Sequence, residues 1–335
     1  MDTPFLVLTP GDINGVGPEV TLKALNNTSQ KLPIVILAPA SVYKYYSELS
    51  DIPIPRSKNI SSLAEITDND IYFLNHTAQE KKWKVTPGEP TTMAGLLAMK
   101  SVELAADICL KYPSAAMVTA PFNKEIVNKA GFNIKGHTDY LAERDGCTHY
   151  VMMLASSQLR VVPLSEHVPV TEIAASVTRE HILKKLNVIN KSLKHDFGVD
   201  VPRIAVLGLN PHAGDGGIIG SEESEIITPT LKEAFKLGIH AEGPYPADGF
   251  FAAKRYADFD AILAMYHDQG LIPFKTLTFN GGINFTAGLS FIRTSPDHGT
   301  AYGIAGMNRA DFGSMREAIE MAQYLVRRRA GNSVK

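Results

Sequence analysis

The sequence has 335 residues, of which 44% are hydrophobic and 20% charged, so it is long enough for two domains and too apolar for a disordered chain. Its formal net charge of −2 argues against a nucleic-acid or anionic-membrane partner and favours small-molecule ligands. Two cysteines outside any metal-binding spacing, no basic leader and no apolar run of about 18 residues predict a cytoplasmic protein without a membrane segment.

Short runs rich in Val, Ile and Leu alternate along the chain with longer segments of helical period. This alternation is typical of a mainly parallel sheet covered by helices, and it predicts an α/β fold. The predicted elements in chain order are strands FLVLT (5–9) and PIVILA (33–38), helix Thr91–Lys111, strands AAMVTA (115–120) and RVVPL (160–164), helix His181–His195, strands RIAVLGL (203–209) and AILAMY (261–266), and helix Ser314–Arg329.

A glycine-rich turn, TPGDINGVGPEV, follows the first predicted strand. Gly11, Gly15 and Gly17 precede Pro18, which suits the first turn of a helix. Such a turn could present backbone N–H groups to an anion, or it could be a tight strand-to-helix connection only. The spacing is not that of a Rossmann dinucleotide motif, and both interpretations stay open.

Three histidines each follow a predicted strand within a few residues: His167, His212 and His267. Ligands of open α/β sheets bind beyond the carboxyl ends of the strands, so these side chains are candidates for one site. Each has a polar neighbour suited to orienting it, and these neighbours are Glu166, Asn210 and Asp268. Three imidazoles with oxygen donors would suit a divalent metal and leave positions open for substrate. Taken singly, each histidine could be structural instead.

Lys275, Asn284 and Arg293 follow the last of these strands, in a segment rich in glycine. Lysine offers a point charge and arginine a planar fork, and both suit phosphate or carboxylate. The segment therefore predicts an anionic substrate, although each basic residue alone could be a surface ion-pair partner. His137, in KGHTDYLAE, is a further candidate, and its setting suits a substrate contact better than a metal shell.

Seven motifs, in order, resemble the 4-hydroxythreonine-4-phosphate dehydrogenase family of vitamin B6 biosynthesis. They are TPGDINGVGPE, TAPFNKE, GHTDYLAE, LGLNPHAG, GPYPADGFF, AMYHDQG and INFTAGLSFIRTSPDHGTA. The likeness runs from Thr9 to about Gly306. The family is similar in turn to isocitrate and isopropylmalate dehydrogenases, whose glycine loop resembles PGDINGVGPE and whose adenosine-binding loop resembles HGTAYGIAG (298–306).

The resemblance implies a two-domain α/β/α architecture that is not a Rossmann domain, with the active site in the interdomain cleft and at a homodimer interface. Residues 1–125 and 278–335 would form the domain with the cofactor adenosine loop. Residues 126–277 would form the second domain, with the metal ligands and the dimer interface.

The resemblance also assigns site residues. The divalent metal, which could be Zn, Mg or Co, would be held by the three histidines and shared between subunits. The substrate contacts would be His137, Thr138, Lys275, Asn284 and Arg293. The NAD or NADP contacts would be Gly11, Asp12, His298, Gly299, Thr300 and Ala301.

The implied reaction is metal-dependent oxidation of 4-phosphohydroxy-L-threonine to 2-amino-3-oxo-4-phosphobutanoate, which decarboxylates to 3-amino-2-oxopropyl phosphate. A metal on the substrate hydroxyl would lower its pKa and would then stabilise the charge that develops as CO2 leaves. Asp248 or Asp268 could take the proton. Dehydrogenases of threonate or erythronate 4-phosphate, or of a cyclic dihydrodiol, remain alternatives, as do a metal hydrolase and a phosphate-binding protein.

Overall fold

The computed structural model describes residues 3–29, 31–75, 83–134, 136–279 and 281–332. The strands are β1 (Phe5–Thr9), β2 (Ile34–Ile36), β3 (Ser57–Ile60), β4 (Ile71–Leu74), β5 (Ala115–Thr119), β6 (Val151–Ala155), β7 (Arg160–Ser165), β8 (Arg203–Leu207), β9 (His240–Tyr245), β10 (Ala261–Tyr266), β11 (Ile283–Ala287) and β12 (Ile292–Pro296). The helices are α1 (Gly17–Asn26), α2 (Ala40–Ser50), α3 (Thr92–Lys111), α4 (Lys124–Lys129), α5 (His137–Asp145), α6 (Ile173–Ser176), α7 (Arg179–His195), α8 (Thr228–Lys236), α9 (Ala247–Ala252), α10 (His267–Thr278) and α11 (Gly313–Asn332).

The six predicted strands and three predicted helices are confirmed, with ends that move by a few residues. Helix α7 illustrates why the pattern succeeds. The Thr178 side chain accepts the backbone N–H of His181 at 3.2 Å and so caps the first turn. Ile182, Leu186 and Ile189 then recur at helical spacing and are fully buried. Cap and apolar stripe therefore specify the same helix.

The chain divides into two compact units, which are called the first unit (Met1–Cys147 and Leu289–Lys335) and the second unit (Thr148–Gly288). These divisions fall later in the chain than the domain boundaries predicted at residues 125 and 277. The cofactor loop was assigned to the first predicted domain and the metal ligands and dimer interface to the second, and these assignments remain predictions.

The sheet of the first unit has the strand order β3-β4-β2-β1-β5-β12, and every neighbouring pair is parallel. Strand β1 is buried along its whole length, as expected for a central parallel strand with helices over the sheet. Helices α3 and α11 both pack on β1 and β5. The carboxyl ends of β1, β5 and β12 therefore share one edge.

The sheet of the second unit has the order β11-β6-β7-β10-β8-β9. Strand β6 runs antiparallel to both β7 and β11, whereas β7, β10, β8 and β9 are mutually parallel. The mainly parallel α/β class is thus confirmed in both units. No helix within the described ranges is both long and apolar enough to cross a bilayer.

Candidate active site

Three adjacent parallel strands of the second unit, in the order β7-β10-β8, end next to the three candidate histidines. His267 directly follows β10, His167 follows β7 after one residue, and His212 lies in the turn after β8. Two side chains hold these strand ends together. The Ser165 hydroxyl donates to the carbonyl of Met265 at 2.9 Å. The Gln269 amide accepts the N–H of Met265 at 2.7 Å and donates to the Gly208 carbonyl at 2.6 Å. These hydrogen bonds fix the ends of β7, β10 and β8 relative to one another.

His167 and His267 converge on one cavity of about 230 Å³, whose other walls include Val168, Ile173 and Asp268. Their ring centroids lie 6.1 Å apart. The Asp268 carboxylate contacts Nδ1 of His267 at 2.7 Å. Metal-bound histidines usually carry such a partner on their second ring nitrogen, because it fixes the ring and increases its basicity. The role predicted for Asp268 as an orienting neighbour is confirmed.

The other two predicted orienting neighbours bind elsewhere, and those two predictions are wrong. The carboxylate of Glu166 accepts a hydrogen bond from Nζ of Lys185 at 2.7 Å, and the lysine side chain is only 10% exposed. The amide of Asn210 donates to Glu222 and Glu223. The hydrogen bonds of these two side chains therefore go to Lys185, Glu222 and Glu223 rather than to a histidine ring.

The turn that carries His212 has an unusual backbone. Residues 212–216 all have positive φ values, 54°, 50°, 80°, 43° and 66°, so they form a short left-handed turn. His212, Ala213 and Asp215 are not glycines, and each is expected to lose about 1–2 kcal/mol in this conformation. The direction of the exposed His212 side chain is therefore set by a strained turn. Within the described part of one chain, no three His, Cys, Asp or Glu side chains are grouped closely enough for a metal, and the predicted shared site remains a prediction.

The first unit contains two of the predicted substrate residues, buried Arg293 and half-buried His137, and the charge of Arg293 acts on His137. Arg293, in β12, is only 3% exposed, and its Nε and Nη2 donate to the Thr119 hydroxyl at 3.0 and 2.8 Å. Burial lowers the pKa of this guanidinium to about 10. The His137 ring stacks on Phe122 with centroids 3.6 Å apart. Burial and then the charge of Arg293 hold the pKa of His137 well below its usual value, so the ring is neutral at neutral pH.

The polar atoms of Arg293 and His137 suit an anion with a hydrogen-bonding group. The buried Nε2 of His137 has no hydrogen-bond partner among the described residues. A buried cation is stabilised strongly by an incoming phosphate or carboxylate, because water no longer screens the interaction. Arg293 and His137 thus have the environments expected of ligand contacts. Thr138 is the next residue of α5 and is half-buried.

The remaining predicted substrate and catalytic residues lie in the second unit. Lys275 is exposed on α10, and Asn284 is half-buried on β11. The buried Oδ1 of Asn284 has no hydrogen-bond partner within the described residues. Asp248 is exposed in the first turn of α9, and the Asp268 side chain is 69% exposed. The geometry therefore leaves the choice of proton acceptor between these two carboxylates as a prediction.

The glycine turn after β1 packs tightly against protein and is fully buried. A Cβ at Gly11 would lie 2.2 Å from the Pro121 carbonyl oxygen, and a Cβ at Gly17 would lie 2.5 Å from that of Pro10. The N–H groups of Asp12 and Val16 donate to protein carbonyls at 2.9 Å. These donors are not available to an anion, so the structure favours the tight-connection interpretation.

The same turn contacts the predicted adenosine loop. The Val16 N–H donates to the carbonyl of Thr300, and the Tyr302 hydroxyl donates to Oδ2 of Asp12 at 2.6 Å. Burial raises the pKa of Asp12, although the bond from Tyr302 opposes this effect. Asp12 is completely buried, so its visible role is to hold the loop through Tyr302. Whether it also contacts a cofactor stays a prediction.

The loop itself leaves open space beside its backbone. A Cβ at Gly299 would meet no protein atom within 4 Å. Nδ1 of His298 contacts the Gly299 carbonyl at 3.0 Å, and its buried Nε2 has no partner among the described residues. Ala301 has a φ of 44°. An exposed glycine beside an unpartnered ring nitrogen is compatible with a ligand that approaches the backbone closely.

The family model described as "Pyridoxal phosphate biosynthetic protein PdxA" matches residues 29–322. The chain belongs to this family. The 4-hydroxythreonine-4-phosphate dehydrogenase of Bacteroides thetaiotaomicron is 43% identical over 326 residues, which cover 96% of this chain and 88% of that protein. The family resemblance recognised in the sequence is confirmed, and the chain is a dehydrogenase of the PdxA family.

Solved structures agree with this assignment. A 4-hydroxythreonine-4-phosphate dehydrogenase from Klebsiella pneumoniae superposes with a TM-score of 0.86 at 34% identity and covers 97% of this chain and 100% of that one. A terephthalate 1,2-cis-dihydrodiol dehydrogenase from Burkholderia xenovorans LB400 has a TM-score of 0.66 at 25% identity and covers 96% and 98%. The PdxA fold thus extends over nearly the whole chain.

Sequence reasoning missed several residues that contact the candidate site residues or brace the strand ends beside them. Thr119 contacts Arg293 and Phe122 contacts His137, and both residues lie within the motif TAPFNKE, which was used only as a mark of resemblance. Gln269 lies two residues after His267 in AMYHDQG. Position within a motif was the one signal that could have identified these side chains.

Proposed function

We propose that the chain catalyses the NAD- or NADP-linked oxidation of 4-phosphohydroxy-L-threonine in pyridoxal phosphate biosynthesis. The product would be 2-amino-3-oxo-4-phosphobutanoate, which loses CO2 to give 3-amino-2-oxopropyl phosphate. The observation that carries the proposal is the near full-length similarity to several relatives with this name, from 37% to 43% identical. The buried Arg293 guanidinium and the paired histidines add physical support.

The substrate contacts in this proposal are His137, Thr138, Lys275, Asn284 and Arg293. A phosphorylated hydroxy amino acid carries two anionic groups, and the buried guanidinium offers a planar fork for one of them. The neutral His137 ring can exchange one hydrogen bond through Nε2 without adding a second buried charge. This combination favours an anion with an adjacent hydroxyl or amino group.

The donor set also fits a divalent metal. Two imidazoles on a tetrahedral zinc have ring centroids about 5 Å apart, given Zn–N distances of about 2.0–2.1 Å. The ring centroids of His167 and His267 lie 6.1 Å apart, within about 1 Å of that spacing. We propose that these two residues and His212 hold the metal, with ligands shared between two copies of the chain in a homodimer. A bound metal would supply Lewis acidity for the hydroxyl and the later ketone.

The reaction would transfer one proton to a protein carboxylate and one hydride to the cofactor. Oxidation would remove the proton from the hydroxyl oxygen and a hydride from the carbon that bears this hydroxyl, and the nicotinamide would accept the hydride. Asp248 and Asp268 are the proposed proton acceptors, and Asp268 additionally orients His267. The proposed cofactor contacts are Gly11, Asp12, His298, Gly299, Thr300 and Ala301.

The test combines turnover with metal analysis. Purified protein, 4-phosphohydroxy-L-threonine and either NAD or NADP should give rising NADH or NADPH absorbance, and exhaustive chelation should abolish it until Zn²⁺, Mg²⁺ or Co²⁺ returns. His212→Ala should remain folded by circular dichroism, lose metal by elemental analysis and lose turnover. Full activity of metal-free protein would contradict metal dependence, and a folded, metallated, active His212→Ala variant would remove that residue from the site.

A further inference from the structure

The carboxylate of Glu223 is buried beneath the turn that carries His212, and the proposed reaction does not use it. Glu223 begins a π-helical turn (Glu223–Ile227) that leads into α8, and the residue is 5% exposed. Its Oε1 accepts the backbone N–H of Asn210 at 2.7 Å. Its Oε2 accepts the Asn210 side-chain amide at 3.0 Å. A buried carboxylate on an irregular helical turn needs a reason, because both features lower stability.

Two glycines admit this carboxylate into the turn. A Cβ at Gly214 would lie 2.7 Å from Oε2 of Glu223, and a Cβ at Gly208 would lie 3.2 Å from Oε1. The carboxylate is therefore enclosed between the start and the end of the segment 208–214. His212 lies inside that segment, two residues after the backbone N–H that the carboxylate holds.

The backbone of the segment explains why such a hold is needed. His212 and Ala213 have φ values of 54° and 50°, a conformation that is unfavourable for residues other than glycine. A strained turn persists only when its surroundings specify it. Charge-assisted hydrogen bonds are roughly twice as strong as neutral ones, and the Glu223 carboxylate supplies two at the entrance to the turn.

We propose that Glu223 is a positioning residue that fixes the left-handed turn and so directs the His212 imidazole toward the metal. The inference rests on the proposed function, because it requires His212 to be a metal ligand. Glu223 touches neither metal nor substrate. Its effect is therefore expected in metal affinity first, and in turnover only as a consequence.

The first test is Glu223→Gln in the full-length protein. The glutamine amide can still accept one hydrogen bond, but its NH₂ group faces the NH₂ group of Asn210, so one bond is lost. We expect Co²⁺ affinity, measured by absorbance titration of chelator-treated protein, to fall roughly tenfold or more, as for other outer groups that orient metal ligands. Glu225→Gln is the matched control, because Glu225 is exposed in the same turn.

A second pair of variants keeps the Glu223 carboxylate and changes a glycine of the turn instead. Gly214→Ala places a methyl group against Oε2, whereas at Gly216 a Cβ would meet nothing within 4 Å. Both glycines have positive φ, 80° and 66°, so both variants bear similar backbone strain. Gly214→Ala should lose Co²⁺ affinity like Glu223→Gln, and Gly216→Ala should lose much less. This pair decides the matter even where Glu223→Gln fails to fold.

The outcomes separate the positioning role from the proposed function. Weaker Co²⁺ binding in Glu223→Gln and Gly214→Ala, with control variants near wild type and all folds intact, supports the proposal. Wild-type affinity in either folded test variant overturns it. Wild-type protein that binds no Co²⁺, or His212→Ala protein that binds it normally, overturns the metal site itself, and the positioning role with it.

Discussion

Arg293→Met is expected to weaken substrate use and, at the same time, to stabilise the ligand-free protein. Burial lowers the pKa of the Arg293 guanidinium from its usual value to about 10. Each tenfold change in a protonation equilibrium is worth about 1.4 kcal/mol, so holding this cation away from water costs about 3 kcal/mol. The group still carries its charge at neutral pH. An anionic substrate can recover that free energy on binding.

Arg293→Met should weaken substrate binding but increase the stability of the ligand-free protein, and a purely structural residue would not show this combination. Loss of a charge-assisted contact is worth about 1.5–3 kcal/mol, so KM for the substrate should rise roughly 10- to 150-fold. Methionine fills similar space without a charge, so the free energy of unfolding of the free protein should rise, by at most about 3 kcal/mol. Two hydrogen bonds to Thr119 are also lost, which will reduce the gain.

The assay is steady-state kinetics together with denaturant unfolding of the ligand-free protein. Arg160→Met is the matched control. Arg160 lies over the Phe197 ring at 4.2 Å and donates to the Asp260 carbonyl, so it is expected to lose stability with KM unchanged. If Arg293→Met instead lost several kcal/mol of stability and kept its KM, Arg293 would be a structural residue and the substrate assignment would be wrong.

Three further perturbations test other parts of the site. Gly299→Ala should change the free energy of unfolding by less than ~0.5 kcal/mol and raise the KM for NAD about 5- to 100-fold. Gly331→Ala, at an exposed glycine, is the control and should change neither quantity. Unchanged NAD binding of Gly299→Ala by calorimetry would show that this loop does not bind the cofactor. Burial raises the pKa of Asp12 in the folded protein above 3.8, so the stability that its protonated form contributes is fully present below pH 3.8 and is lost as pH rises through the folded pKa. Asp12→Asn should therefore become more stable relative to wild type as pH rises from 4 to 7. A difference in the free energy of unfolding that does not change with pH would contradict this. Pairwise mixtures of the three histidine-to-alanine variants, at residues 167, 212 and 267, should restore about a quarter of wild-type activity in at least one pair if the site is shared across a homodimer; no recovery after demonstrated subunit exchange would refute sharing.

The strands that sequence alone predicted are largely buried apolar runs, although β4 (Ile71–Leu74) and β6 (Val151–Ala155) are equally buried and were missed. FLVLT and AILAMY are continuous apolar runs because helices cover both sides of a parallel strand, and the same reasoning placed His267 beside the site. Strand β9 (His240–Tyr245) was missed because its side chains are exposed or half-buried and show no apolar run. Strands β11 and β12 were hidden in a glycine-rich segment that was interpreted for its charges.

The candidate site was predictable to the level of which residues follow which strand. The left-handed turn at His212 and Ala213 was not, because non-glycine residues rarely adopt positive φ and carry no pattern that reveals it. The partners of Glu166 and Asn210 were also out of reach, since a neighbour in sequence need not be a neighbour of the side chain. Lys185 and Glu223 approach from distant helices, and only the fold brings them in.

The central claim concerns the substrate, and one comparison of kcat/KM tests it most directly. Purified metal-loaded protein is assayed for NADH formation with 4-phosphohydroxy-L-threonine, threonate 4-phosphate, erythronate 4-phosphate and a cyclic cis-dihydrodiol. We expect the phosphorylated hydroxy amino acid to exceed each rival by at least about tenfold, which corresponds to about 1.4 kcal/mol in transition-state binding. A higher kcat/KM with any rival would contradict the proposed function.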